Sequence, residues 1–111
     1  MYLYVELWKP LEAWHALSPS EREEFSDGIA PAVSALLEAG IELIGFALND
    51  PDTGNRADYV YLAAWRMPSR SLALELERAV ADYGFFSYFD QVNARGEIVA
   101  PEEVLKHMAQ G

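Results

Sequence analysis

Tyr2-Leu3-Tyr4-Val5-Glu6-Leu7-Trp8 alternates without a fault. Leu3, Val5 and Leu7 fall on one side, and Tyr2, Tyr4, Glu6 and Trp8 on the other. A period of two in β-branched and aromatic residues predicts a strand with two distinct faces. One face is aliphatic and the other is aromatic with a single acid. The stretch Asp58 to Arg66 repeats the pattern, setting Tyr59, Tyr61, Ala63 and Trp65 against Val60, Leu62 and Ala64. Pro10 ends the first strand and Pro68 ends this one. Neither face is polar enough to be left in water.

Working outward, Leu11 to Leu17 carries Trp14 and His15 in a segment long enough for a helical turn. Ser18-Pro19-Ser20-Glu21 then has the chemistry of a helix start: a serine cap, proline at the first helical position and glutamate closing a capping box. Phe25, Ile29, Val33, Leu36 and Leu37 follow at helical spacing, and Gly40 is placed to stop the helix. Gly28 and Pro31 interrupt it. A proline inside a helix removes a backbone donor, so a kink or break is expected near Asp27.

Residues 41–49 predict a second strand, and Asp50-Pro-Asp-Thr-Gly-Asn55 is turn chemistry that makes a hairpin loop before the strand at 58–66. Ser69 or Ser71 can cap the next helix, with Leu72, Leu76, Ala79, Val80 and Tyr83 as its stripe and Gly84 as its stop. Phe86 to Val92 predicts a fourth strand, Ala94 to Glu97 a turn, and Pro101 to Gln110 a short last helix. The order βαββαβ plus a tail helix is the α+β, ferredoxin-like split βαβ arrangement, in one domain covering 1–111. Two helices cover only one face of such a sheet. The other face is therefore expected to pack against a second copy, giving a homodimer with sheets face to face. Alternation alone leaves open which face meets the helices.

The charge balance narrows the partners. Eighteen acidic against eight basic side chains give −10, with Lys9 and Lys106 the only lysines. Nucleic acid and anionic membranes are expected to be excluded. No run approaches the ~18 apolar residues of a membrane span, and the start shows no basic segment leading into an apolar one. The chain has no cysteine, hence no disulfide, zinc-finger spacing or thiol nucleophile, and a reducing cytoplasm suits it.

The segment Tyr61-Leu-Ala-Ala-Trp65-Arg-Met-Pro-Ser-Arg-Ser-Leu72, in which a strand ends in tryptophan and passes into a capped helix, resembles the dimeric α/β-barrel superfamily. More narrowly, Met1 to Trp8, Asn49-Asp-Pro-Asp52 and Gln91-Val-Asn-Ala-Arg-Gly96 resemble a small bacterial family of uncharacterised proteins. The superfamily includes cofactor-independent quinol monooxygenases, haem-degrading monooxygenases, polyketide cyclases, lactone isomerases and stress-induced proteins. The resemblance implies a small-molecule pocket between the sheet and helices of each subunit. Several of the monooxygenases carry a histidine on the helix after that tryptophan. Here Leu72-Ala-Leu-Glu-Leu-Glu77 has none, which argues against haem ligation and histidine-dependent oxygenation.

Glu6 is the candidate acid/base. It sits mid-strand among aromatic residues, where burial disfavours the charged form and suits proton transfer. The bland alternative is a structural acid hydrogen-bonded to a tyrosine hydroxyl or paired with Arg66 or Arg95 across the dimer. Tyr61 and His15 are candidate catalytic partners, and Tyr4, Trp8, Tyr59 and Trp65 candidate walls for a hydrophobic or aromatic ligand. His107 complements the C-terminus of the last helix. Two isolated histidines make no metal site, and Asp50, Asp52 and Asp58 lack the calcium-loop pattern. No phosphate loop, nucleophile elbow or dinucleotide fingerprint is present, and no cofactor is expected. The sequence therefore reads as a small-molecule-binding protein, with a cofactor-independent isomerase, cyclase or monooxygenase as its catalytic form. The alternative is a non-catalytic, stress-related or interaction module whose aromatic sheet face is a dimer interface.

Overall fold

The computed structural model describes residues 1–111. Its elements run β1 (Tyr2–Pro10), α1 (Glu12–His15), α2 (Pro19–Asp27), α3 (Ile29–Glu38), β2 (Glu42–Leu48) and β3 (Tyr61–Met67). Then come α4 (Arg70–Asp82), a 3-10 turn (Phe85–Ser87), β4 (Phe89–Glu97) and α5 (Pro101–Ala109). The strands form one antiparallel sheet in the order β2-β3-β1-β4. The class is α+β.

The break expected near Asp27 is present. α2 stops at Asp27 and α3 starts at Ile29, so Pro31 falls in the first turn of a new helix. Backbone donors there have no intrahelical acceptor, and proline loses nothing by lacking one. The capping box is formed as the sequence predicts. Ser18 Oγ accepts from the Glu21 amide at 3.2 Å, and Glu21 accepts from the Ser18 amide at 2.9 Å. Gly40 and Gly84 follow α3 and α4 with φ of +105° and +86°, a region costly for residues with a Cβ.

β4 departs from expectation. Ala94 to Glu97, read as a turn, continues the strand, and β4 starts at Phe89 rather than Phe86. β1 supplies the reason: Leu3, Tyr4 and Val5 pair with Gly96, Arg95 and Ala94, so ladder bonds override the turn preference of Arg-Gly. Likewise β3 starts at Tyr61. Asp58 to Val60 belong to the preceding loop, which Arg56 ties down by donating to the Asp50 and Tyr59 carbonyls at 3.1 and 2.8 Å.

The register settles which face the helices cover. Tyr4, Ala63, Trp65 and Met67 lie on one side of the sheet and are buried with Ala73 and Leu76 of α4. The aromatic face is therefore the inner one. The aliphatic face is open: Leu3 is 38% exposed and Val92 43%. Only nine residues are buried in the chain as a whole.

Candidate functional site

Between the aromatic face and the helices lies a cavity of about 330 Å³, lined by 17 residues of which 14 are hydrophobic. Trp8, Tyr61, Trp65 and Gln91 join Glu6 on its sheet side, while Phe25, Val33 and Val80 come from the three longer helices that precede β4, and Tyr83 follows the last of these. The rings form a connected wall. Trp8 meets Tyr61 and Phe46 at 5.7 Å between centroids, Phe46 meets Trp65 at 5.7 Å, and Phe85 stacks on Phe89 at 4.5 Å. These are edge-to-face and offset separations that aromatic pairs favour.

Glu6 is 5% exposed and is the only carboxylic or cationic side chain of the lining. Trp65 Nε1 donates to Glu6 Oε1 at 2.6 Å, and Gln91 Nε2 donates to Glu6 Oε2 at 2.8 Å. Burial pushes the Glu6 carboxyl above its ordinary range, while these two hydrogen bonds pull it back. Its partners are neutral. Within the chain Arg66 pairs with Glu42 at 2.8 Å, and Arg95 with Glu77 at 3.0 Å. No tyrosine hydroxyl of the chain bonds to Glu6. Gln91 Nε2 also donates to Asn93 Oδ1 at 2.7 Å, while the buried Gln91 Oε1 has no partner.

The structure sorts the sequence-derived candidates. Glu6, Trp8, Tyr61 and Trp65 meet at the cavity. Tyr4, Tyr59 and His15 do not. Tyr4 is buried against α4, where its hydroxyl donates to Glu77 Oε2 at 3.1 Å beside Arg95, and burial followed by that bond pushes its phenol upward. Tyr59 lies in the loop before β3, with Lys9 Nζ 5.0 Å from its ring centre. His15 ends α1 and is exposed, while its neighbour Trp14 lines the cavity. Gln91 and Tyr83 are lining residues that sequence reasoning did not single out. The signal for Gln91 was available, since alternation along β4 puts it on the same side as Phe89.

Gly28, at the break between α2 and α3, fixes Tyr83. A Cβ there would collide with the Tyr83 hydroxyl and sit 3.1 Å from the ring carbon bearing it. That hydroxyl donates to the Phe25 carbonyl. Gly28 has φ of −71°, so alanine meets no backbone strain and the cost is the collision alone. Gly28→Ala is expected to lower stability by about 1–3 kcal/mol, as overpacking does. Tyr83→Phe in the same chain should recover part of that loss in a urea melt. If the double variant is as unstable as the sum of the singles, the collision is not the cause.

A family model described as a family of unknown function (DUF6616) matches residues 1–111. The chain belongs to that family. Among curated proteins no relative matches it. Two solved structures of a hypothetical Arabidopsis thaliana protein share its fold. The solution structure is 18% identical with a TM-score of 0.56, covering 89% of this chain and 88% of that one. The crystal structure, treated by ensemble refinement, is 17% identical with a TM-score of 0.58, covering 90% and 97%. At that identity the likeness concerns the fold alone. No helix is long and apolar enough to cross a membrane.

Proposed function

We propose that the protein binds a small hydrophobic or aromatic molecule in this cavity and that Glu6 exchanges a proton with it. One observation carries the reading: a desolvated carboxyl, held by two neutral donors, forms the floor of an aromatic cavity of about 330 Å³. Pockets for small organic ligands start near 300 Å³ and combine apolar walls with a few polar groups. A carboxyl raised by burial is matched to general acid or base work nearer neutral pH. Tyr61 and Trp65 orient and enclose the ligand. Isomerisation, cyclisation and cofactor-independent oxygenation are the reactions such a site suits.

The finer fold belongs to the same proposal. The strand order supports a ferredoxin-like chain that pairs through its sheet into a dimeric α/β barrel. The open aliphatic face supports it too, as does the radius of gyration of 15.9 Å, against about 13 Å for a compact domain of this length. A cysteine-free chain fits the cytoplasm. In the competing reading, an interaction module, the aromatic face would be the surface offered to a partner. That face lies under the helices, and the open one is aliphatic.

Native mass spectrometry of the purified protein tests the reading, with a co-purifying small molecule as the expected result. Such a molecule should leave when Ala32, on the cavity wall, is enlarged to phenylalanine. Retention by Ala32→Phe places the ligand elsewhere and sinks the assignment. With the molecule in hand as substrate, Glu6→Gln should lower turnover by at least ~100-fold, at the lower end of what proton transfer by a placed side chain contributes.

A further inference from the structure

The polar floor of the cavity is one-sided. Its carboxylate faces no cation from any element of the lining, which contains no lysine, arginine or histidine. The nearby Arg95 is held by Glu77. The one buried side-chain polar atom left without a partner is Gln91 Oε1, an acceptor. Both Gln91 Nε2 bonds are taken, by Glu6 and by Asn93, so the amide is oriented with its oxygen unanswered. Buried acceptors of this kind call for a donor, and a buried carboxylate calls for a positive charge. The walls agree. Trp8, Tyr61 and Trp65 line the cavity with that floor, and aromatic rings attract cations. At long range the chain's charge of −10 draws cations and repels anions.

We propose that the ligand is a hydrophobic amine, bound as its ammonium ion, with its N–H groups shared between the Glu6 carboxylate and Gln91 Oε1 and its hydrocarbon part against the aromatic walls. This rests on the cavity being a ligand site, and it names the chemical class that the site selects. A carboxylic acid is rejected by the same groups, because it would bring a second negative charge against Glu6. A neutral alcohol can donate one hydrogen bond but leaves the carboxylate without a counter-charge.

The test compares by calorimetry three probes that share a 2-naphthylethyl group: 2-(2-naphthyl)ethylamine, 2-(2-naphthyl)ethanol and 3-(2-naphthyl)propanoate. The amine is expected to bind at least tenfold more tightly than the alcohol, and the acid more weakly than both. Glu6→Gln should bring amine and alcohol within about threefold of each other by weakening the amine alone. In the unmodified protein the same convergence should occur as the pH falls and Glu6 takes up a proton, which keeps the test sound if Glu6→Gln folds poorly. Ala32→Phe should abolish binding of amine and alcohol together. Equal binding of amine and alcohol, tighter binding of the acid, or an amine preference surviving in Glu6→Gln overturns the proposal while leaving the cavity a ligand site. If none of the three binds, or Ala32→Phe leaves binding intact, the cavity reading falls and this one with it.

Discussion

Val92→Glu should convert a species of about 25 kDa in sedimentation, twice the chain mass of 12.4 kDa, into one of 12.4 kDa. Val92 lies on β4 opposite Leu7, on the aliphatic side of the sheet, and Leu7 in turn pairs with Leu62 on β3. In a single chain that position is 43% exposed, so a glutamate there meets water and costs the fold little. In a dimer packed face to face, the two-fold axis brings two copies of the new charge into the same dry layer. An unpaired carboxylate buried in that way costs several kcal/mol, enough to raise the dissociation constant by more than ~100-fold. The two chains carry −10 each, so added salt should tighten the parent dimer while leaving the variant monomeric. Circular dichroism should show the same fold for both. A parent protein that sediments at 12.4 kDa, or a variant that stays at twice that mass, would end the barrel assignment.

The faces of this sheet were legible because β1 and β3 alternate, and alternation is a direct reading of which way each side chain points. The helix break was legible for a similar reason: Gly28 and Pro31 act through local backbone chemistry. What alternation does not carry is position along the strand. Tyr4 and Glu6 share a face but lie about 7 Å apart along β1, two residues at the usual strand rise. That step decides that Tyr4 is sealed under Ala73 and Leu76 while Glu6 opens onto the cavity. His15 and Trp14 are neighbours in sequence, yet only Trp14 turns inward, its ring tilted against Phe89 at 4.7 Å between centroids. Its ring is placed by packing between elements distant in the chain, which no local pattern records. The misread end of β4 has the same origin. Ala-Arg-Gly-Glu favours a turn locally, and nine residues of β1 pairing overrule it.

Within one chain the partners of Glu6 are neutral donors from the two neighbouring strands. A buried acid suggests an arginine, but charge pairing at a distance competes with a donor built into the neighbouring strand. Tyr4 pairs with Trp65 across β1 and β3, which brings the indole to the carboxyl two residues further along β1. Within the chain Arg95 is engaged with Glu77, which also accepts from the Tyr4 hydroxyl. That cluster ties α4 to β1 and β4 beside the cavity. It leaves the cavity acid with neutral donors only.

Trp65→Phe is expected to be among the most destabilising single substitutions, at about 3–4 kcal/mol in a urea melt at pH 8. Two effects combine. The smaller ring leaves a void in a core position that is 2% exposed, and because phenylalanine still fills most of the site the cost is at or below the lower end of the about 2–5 kcal/mol of large-to-small core changes. The lost indole N–H also strips a charged acceptor of one of its two donors, worth about 1.5–3 kcal/mol where the acceptor is ionised. Glu6→Gln separates the two. The amide keeps an oxygen for Trp65, and Gln91 can turn to present its unpartnered Oε1 to the new NH₂ group. In that background Trp65→Phe loses only a neutral hydrogen bond, so its cost should fall by about 1 kcal/mol, and the cycle measures the charge-assisted part. The pH dependence has a definite sign. The folded-state pKa of Glu6 is raised by burial, so the folded protein holds the proton at pH values where the unfolded chain has released it. Stability of the parent relative to Glu6→Gln should therefore decline as pH rises from the ordinary glutamate range through the raised value, and level off above it. The extra cost of Trp65→Phe should grow over that same interval, because only the ionised carboxyl depends on the indole so heavily. A parent-minus-variant difference that rises with pH would show Glu6 to be stabilised as an anion, and its assignment as the proton-exchanging group would not survive.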